Sequence, residues 1–413
     1  MDSATDESAT DEIGVYETGT DETATDEIGI YNVDTHQADS DPGAVDTGHT
    51  KAPNGRWEII LVLCLAAGAA LAIKTPSLFG YAIDDDAVNQ FYFLNVSFFV
   101  FPFLTAYFAW KRRMDFARWG WLAPPFIAAG LLCNLFPFQP GADTATLTGL
   151  HTPVALWLAV GYAYTGGDWR THERRMDFVR FSGQLFILFV LIALGGGVLT
   201  GITLTLFNAL GLNLEWAAAT WIIPCGAMGA IIVAAWLVET GQSAIEQLAP
   251  VLTRIFTPLF TLMLLSFLVA LVWTGQGIHV QREMLIAFDV LLMVVVGLVL
   301  YSISARNPQK PPGVFDGLLT VLILAAVIVD ILVLAAMTAR ITEFGYTPNR
   351  LCALGLNVIL FVNLAWTARL YIGFLRDRAS FSAVERWQTA YLPVFCVWAG
   401  LVVVLFPILF DFI

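Results

Sequence analysis

Residues 317–338 read Gly317-Leu-Leu-Thr-Val-Leu-Ile-Leu-Ala-Ala-Val-Ile-Val-Asp-Ile-Leu-Val-Leu-Ala-Ala-Met-Thr338 and contain a single ionisable side chain, Asp330. An α-helix rises about 1.5 Å per residue, so a run of this length spans the roughly 30 Å hydrocarbon core of a bilayer. A helix satisfies its backbone polar groups internally, which is why helices can cross lipid. The stretch therefore predicts a transmembrane helix.

Ten further apolar stretches occur on either side of this one. Together the predicted spans are 57–73, 91–110, 119–138, 150–165, 181–207, 217–238, 255–274, 284–304, 317–338, 351–373 and 389–410. The stretch 150–165 is the shortest and predicts either a full span or a re-entrant segment. We therefore expect an all-α, polytopic transmembrane helical bundle of about eleven spans over residues 56–413, surrounded by membrane lipids.

The composition supports this class, because 57% of the residues are hydrophobic and only 13% are charged. The net charge of −13 belongs mostly to the start of the chain, where fourteen of the 34 acidic residues precede Lys51. No basic footprint for nucleic acid is present, so we expect no nucleic-acid partner. The five cysteines all fall in apolar stretches and are expected to be buried hydrophobes.

Residues 1–55 are rich in Asp, Glu, Thr, Ser and Gly, a composition that predicts a disordered acidic tail. Within it, Ala9-Thr-Asp-Glu-Ile-Gly-Val-Tyr16 recurs fifteen residues later as Ala24-Thr-Asp-Glu-Ile-Gly-Ile-Tyr31. The repeat indicates either two copies of a motif that binds a cytoplasmic protein, or slippage in a low-complexity region. Both interpretations remain open at the level of sequence.

The distribution of lysine and arginine predicts the orientation of the bundle. With eleven spans, sixteen of the 21 basic residues fall in connections on the side of the N-terminus and four in connections on the other side. Arg369 lies near a span end, where it can snorkel to the surface. Because cytoplasmic connections carry the excess of positive charge, we expect a cell (inner) membrane protein with its N-terminus in the cytoplasm and its C-terminus outside.

Two copies of a basic motif precede spans on the predicted cytoplasmic side. Arg112-Arg-Met-Asp-Phe-Ala-Arg118 returns as Arg174-Arg-Met-Asp-Phe-Val-Arg180. Juxtamembrane arginines of this kind typically contact anionic lipid headgroups. We therefore expect such contacts at Arg112, Arg113, Arg174 and Arg175; the alternative is a regulatory or partner-binding role.

The chain lacks the motifs of common catalytic and cofactor sites. We find no GxSxG, HExxH, P-loop or GxGxxG after a strand, and His172-Glu173 lacks a second histidine at ligand spacing. The histidines are scattered over the tail and over connections on both sides. We therefore predict no cofactor, no metal site and no enzymatic activity.

Two carboxyl groups lie inside predicted spans, where ionisable groups are costly and usually functional. Asp289 lies about 8 Å and Asp330 about 12 Å below the predicted outer surface, on consecutive antiparallel helices. They can face one another and hold a proton between them, as in proton-coupled carriers. Alternatively, Asp289 reaches headgroup water, and Asp330 is protonated or hydrogen-bonded to a neighbour.

Small residues and a proline mark two adjacent predicted spans. Span five contains Gly195, Gly196, Gly197 and Gly201, and span six contains Pro224 and Gly226. Broken helices expose backbone groups that can bind a substrate, whereas small residues spaced four apart also allow close helix packing. Both a substrate path and simple packing fit this pattern. Asparagines within spans, such as Asn357 and Asn363, are expected to form interhelical hydrogen bonds.

The connection Arg340-Ile-Thr-Glu-Phe-Gly-Tyr-Thr-Pro-Asn-Arg350, followed by Leu354-Gly-Leu-Asn357, predicts an ordered turn. These residues resemble bacterial multi-pass membrane proteins of the domain-of-unknown-function 4153 type. The resemblance extends loosely from Phe178 onward. It implies a fold type, without an activity or functional residues.

Two hypotheses for function follow from these patterns. The first is a transporter or permease-like carrier in which Asp330, and with it Asp289, titrates in a cavity. The second is a non-transporting scaffold or sensor whose tail recruits a cytoplasmic partner. The sequence does not predict a substrate or an oligomeric state.

Overall fold

The computed structural model describes residues 55–81, 89–209, 212–241, 244–274 and 282–413. In these residues the chain is an all-α helical bundle without β-strands. Residues 1–54 of the predicted tail, with both copies of its repeat, lie outside the described residues. The α-helices are α1 (Gly55–Lys74), α2 (Asn89–Asn95), α3 (Phe101–Lys111), α4 (Phe116–Gly120), α5 (Ala123–Leu135), α6 (Asp143–Tyr164), α7 (His172–Ala209), α8 (Glu215–Ala217), α9 (Ile223–Glu239), α10 (Ala244–Thr274), α11 (Arg282–Ala305), α12 (Val314–Phe344), α13 (Pro348–Leu375) and α14 (Phe381–Leu409).

Nine described helical segments are long and apolar enough to cross a membrane, as expected of a multi-pass membrane protein. They are Arg56–Phe79, Asn89–Lys111, His172–Asn208, Glu215–Glu239, Thr253–Trp273, Met284–Ala305, Val314–Phe344, Pro348–Leu375 and Phe381–Leu409. These segments coincide with nine of the eleven predicted spans. The predicted spans 119–138 and 150–165 do not belong to the set.

Each of the two exceptions has a physical reason. The first is divided into α4 and α5, and α5 has only 13 residues, or about 20 Å of helix. The second corresponds to α6, which has 22 residues but carries buried polar side chains. Thr144, Thr148 and Thr152 follow one another at four-residue spacing on α6 and are fully buried. The polar face of α6 therefore packs inside the bundle. Its threonines also lower the average hydropathy of the helix, which is why α6 is not among the nine segments.

Helix α6 lies antiparallel to the C-terminal part of α14. At one end the Thr144 amide donates to the Ile413 carbonyl at 3.0 Å. Near the middle the Cys396 thiol approaches the Val154 carbonyl at 3.7 Å. Beyond the other end of α6, His172 Nδ1 lies 3.1 Å from the Thr389 hydroxyl. Helix α6, with 22 residues, thus lies beside most of α14, which has 29.

The segment that contains α4 and α5 connects the same two ends of the bundle. Arg118 donates to the Gly166 carbonyl, just after α6, at 3.0 Å. Phe136, just after α5, packs on Phe412 with ring centroids 5.3 Å apart. We call the end that holds Tyr164 the basic end and the end that holds Phe412 the opposite end.

The helices form two hydrophobic cores. The N-terminal core contains buried residues of α1, α3, α6, α7 and α9, such as Leu104, Phe181 and Ile232. The C-terminal core contains buried residues of α10 to α14, such as Leu292 and Leu322. Helix α7 contributes to both cores and α6 packs on α14, so these two helices join the halves.

The glycines of the fifth predicted span do not break a helix. Helix α7 is continuous through Gly195, Gly196, Gly197 and Gly201. A Cβ atom added at any of them would meet no other atom within 4 Å, so they do not provide a close helix contact among the described residues either. Helix α7 is therefore not broken at these glycines, and a substrate path there stays a prediction.

The sixth predicted span does contain an interruption, immediately before Pro224. The turn Ala218–Ile222 is π-helical. Proline has no N–H group, so Pro224 cannot donate to the carbonyl of Thr220, four residues earlier. The ammonium group of Lys74 donates to this carbonyl instead, at 2.7 Å, and lies 4.6 Å from the centroid of the Trp221 ring. Gly226 has no close neighbour within 4 Å of a built Cβ.

We expect Lys74→Met to destabilise the bundle by about 1.5–3 kcal/mol, the usual range for a hydrogen bond to a charged group. The loss should shrink in a Pro224→Ala background, because residue 224 then carries an N–H group that can bond to the Thr220 carbonyl. Denaturation of the four proteins of this double-mutant cycle measures the difference. Equal losses in both backgrounds would show that Lys74 does not act through Thr220.

The predicted ordered turn between α12 and α13 is confirmed. Gly345 has a φ of 77°, a value that glycine adopts without strain. The Arg350 guanidinium donates to the carbonyls of Phe344 and Gly345, both at 2.9 Å. The Thr347 hydroxyl accepts from the Arg350 amide at 3.3 Å and caps α13.

Candidate functional site

The two carboxyl groups of the predicted spans lie on neighbouring helices of the C-terminal half. Asp289 lies on α11 and Asp330 on α12, within electrostatic range of one another. Helix α12 continues to Phe344, so Asp330 lies 14 residues, or about 21 Å, from that end of the helix. The helix therefore extends six residues beyond the predicted span 317–338.

Asn357 of α13 completes the site. Its amide nitrogen donates to Asp289 Oδ1 at 2.7 Å and to the carbonyl of Ala353 at 2.9 Å. The same nitrogen lies 3.5 Å from the sulfur of Met337 on α12. Asn357 thus contacts both helices that carry the carboxyl groups. We call Asp289, Asp330 and Asn357 the acidic triad.

The triad has an excess of acceptors. Asp330 is fully buried, and neither of its carboxyl oxygens has a hydrogen-bond partner among the described residues. The side-chain oxygen of Asn357 is also buried without a partner, and Asp289 is 9% exposed. A buried polar group without a partner costs about 1–3 kcal/mol, and a buried charge costs more. Bound protons, or a small cation, would satisfy these oxygens.

The triad is closed towards the basic end of the bundle. Along α11, Leu292, Val295, Val296 and Val299 follow Asp289 and are buried in the C-terminal core. They lie between Asp289 and Tyr301, which is near the basic end. Asp330 is itself flanked by buried Val329 and other apolar residues of this core. The hydrated cavity that the carrier hypothesis expects does not reach Asp330 in this conformation.

Several other polar residues of the predicted spans form interhelical hydrogen bonds, as predicted for the asparagines. Asn363 of α13 donates to the Gln388 side chain of α14 at 3.1 Å, and Gln388 donates to the Thr367 hydroxyl at 2.6 Å. Asn95 and Asn134 exchange amide hydrogen bonds of 2.9 and 3.1 Å. These satisfied groups contrast with the unpartnered Asp330.

The two copies of the basic motif converge on the end of α6. Arg112 donates to the Tyr164 carbonyl at 2.9 Å, and Arg174 donates to the Thr165 carbonyl at 2.8 Å. Carbonyls at a helix C-terminus attract cations, and Arg118 completes the set at Gly166. The predicted lipid contacts of these arginines stay a prediction.

The second arginine of the motif has different surroundings in the two copies. Arg113 is exposed, with a φ of 50° at the turn after α3. Arg175 lies in the first turn of α7, where its guanidinium is 2.7 Å from His172 Nδ1. The first copy of the motif is therefore a turn and the second is helical, so the repeated sequence does not form a repeated structure.

A cluster of ion pairs at the basic end was missed by sequence reasoning. Glu58 of α1 accepts from Lys111 at 2.7 Å and from the Tyr107 hydroxyl at 2.9 Å. Glu239 of α9 pairs with Arg112 at 2.9 Å. The available signal was that Glu58 and Glu239 are acidic residues at the ends of predicted spans, on the side rich in arginine.

Within the described part of the chain, no group of three or more His, Cys, Asp and Glu residues is arranged to hold a metal ion. Comparisons with protein-family models, with curated proteins and with solved structures find no match. The resemblance carried by residues 340–357 therefore stays a prediction, and the functional argument rests on the geometry of this chain alone.

Proposed function

We propose that the bundle is a carrier that couples solute movement to the binding of protons or a monovalent cation at the acidic triad. The observation that carries the proposal is the fully buried Asp330, whose two oxygens lack a hydrogen-bond donor. A purely structural carboxyl at this depth would be expected to have a partner. Two carboxyl groups and one amide oxygen suit a proton or a monovalent cation.

The division into two hydrophobic cores also supports the proposal. Alternating access often consists of a rocking of one half of a bundle against the other. The triad lies within the C-terminal half, and its closed state fits one conformation of such a cycle. A path for water must open in another conformation.

We further propose that all eleven predicted segments cross the inner membrane. The support comes from α6, which lies beside most of α14, and from residues 116–138, which connect the two ends of α6. These two segments are consecutive in the chain. Whether both of them cross the membrane or neither does, every other connection between spans stays on the same side. The excess of basic residues then places the N-terminus in the cytoplasm and the C-terminus outside.

Flux into vesicles tests the proposed function. The purified full chain is reconstituted, and proton or sodium gradients are applied with a panel of solutes on one side. We expect gradient-dependent solute movement above that of protein-free vesicles. The carrier hypothesis would be rejected in favour of the scaffold hypothesis if no solute moved with any gradient and residues 1–55 captured a soluble protein.

A further inference from the structure

A cavity of about 460 Å³ opens at the basic end, between the two halves of the bundle. Its walls come from α7 and from the ends of α6, α9 and α11. The volume lies within the range of small-molecule sites. It is separated from the acidic triad by the apolar residues of α11 described above, so it is a distinct site.

The charged groups in the wall favour a positively charged ligand. Asp177 and Glu239 each present a carboxylate, whereas Arg180 provides the one cation among the lining residues. The donors of Arg180 are already engaged, because Nε and one terminal nitrogen donate to the Ser304 carbonyl at 2.9 and 2.6 Å. Its other terminal nitrogen donates to Asp177 at 3.2 Å. Glu239 is likewise paired, with Arg112 at 2.9 Å. A carboxylate with one partner can still accept further hydrogen bonds, whereas few donors in the wall are free.

Tyr301 is the aromatic residue that α11 contributes to the cavity wall. Its side chain is 8% exposed, and its buried hydroxyl has no hydrogen-bond partner among the described residues. A Cβ at Gly183 of α7 would overlap the Tyr301 ring, so Gly183 allows this ring to lie against the helix. Tyr164 and Phe181 add two further aromatic rings to the wall. Aromatic faces and carboxylates together recognise ammonium groups.

We propose that this cavity binds a small molecule carrying an ammonium group. The carboxylates of Asp177 and Glu239 face the positive charge, the aromatic rings contact its carbon atoms, and the Tyr301 hydroxyl forms a hydrogen bond with it. The role of this cavity as the solute site of a carrier rests on the proposed function. Binding of a ligand to the cavity is measured without transport.

Ligand charge provides the first test on the unmodified protein. The full chain in lipid nanodiscs is titrated with propylammonium and tetramethylammonium, and with 1-propanol and propionate as neutral and anionic counterparts, by saturation-transfer NMR. We expect binding of the ammonium compounds and little or none of the other two. Equal binding of all four compounds, or binding of none, would overturn the proposal.

The repeated motif provides a matched control for the second test. Asp115 occupies the position in the first copy that Asp177 occupies in the second, and each pairs with the arginine three residues later. Only Asp177 lines the cavity. We expect Asp177→Asn to weaken ammonium binding about fivefold and Asp115→Asn to leave it unchanged. Equal effects would show that the motif, and not the cavity, controls binding.

Tyrosine variants test the hydrogen bond. Tyr301→Phe should weaken binding of propylammonium about fivefold, whereas tetramethylammonium, which has no N–H donor, should respond less. Tyr371→Phe removes another buried hydroxyl without a partner, away from the cavity, and should change neither affinity. Loss of flux with intact ammonium binding would reject the carrier while leaving this site in place.

Discussion

Replacement of Asp330 by leucine is expected to abolish coupled flux while it raises the stability of the protein. An apolar group of similar size that replaces a buried polar group without a partner leaves the stability of the folded protein unchanged or raises it. The gain should be about 1–3 kcal/mol, which would raise the apparent melting temperature. The measurements are vesicle flux and thermal unfolding on the same preparations.

A second substitution at this position separates charge from shape. Asp330→Asn keeps the size of the side chain but cannot release a proton, so we expect the same loss of flux with a smaller change in stability. Glu343→Gln is the matched control, because Glu343 is an exposed residue near the end of the same helix; it should retain flux. Full flux in Asp330→Leu would exclude a coupling role for Asp330.

Simple periodicity and composition predict a large part of this fold. The nine apolar helices are predicted by the length of each continuous apolar stretch, because a buried or lipid-facing helix needs few polar side chains. Of the two exceptions, 150–165 differs because average hydropathy does not record which face of a helix is buried, and 119–138 differs because it is divided into two short helices. In α6 the threonines at 144, 148 and 152 face the bundle, where protein surrounds them.

The candidate site was predictable only in part. Asp289 and Asp330 were found because a carboxyl group within an apolar run is costly wherever it lies. The role of Asn357 depends on which helices touch, and Lys74 contacts Thr220 across 146 positions of sequence. Hydropathy contains no information about such neighbours. The cavity was missed for the same reason, since its walls come from four separate helices.

Arg306 is the residue whose loss should destabilise the described bundle most. It lies just after α11 and forms two bonds with the Asp316 carboxylate, of 2.8 and 3.2 Å. Its guanidinium also lies 4.7 and 4.4 Å from the ring centroids of Phe374 and Phe381. The side chains of Arg306 and Asp316 are only 12% and 8% exposed. One residue thus connects four helices, α11 to α14.

We expect Arg306→Ala to lower the free energy of unfolding by about 3–5 kcal/mol, since it leaves a buried carboxylate without its partner. Arg306→Lys should recover only part of this loss, because an ammonium group cannot form the two-pronged bond. Asp115→Ala is the matched control: it removes half of an exposed pair of 3.9 Å and should cost at most about 1 kcal/mol. Chemical denaturation in detergent measures all three. Similar losses for Arg306→Ala and Asp115→Ala would mean that the pair with Asp316 contributes no more than a surface contact.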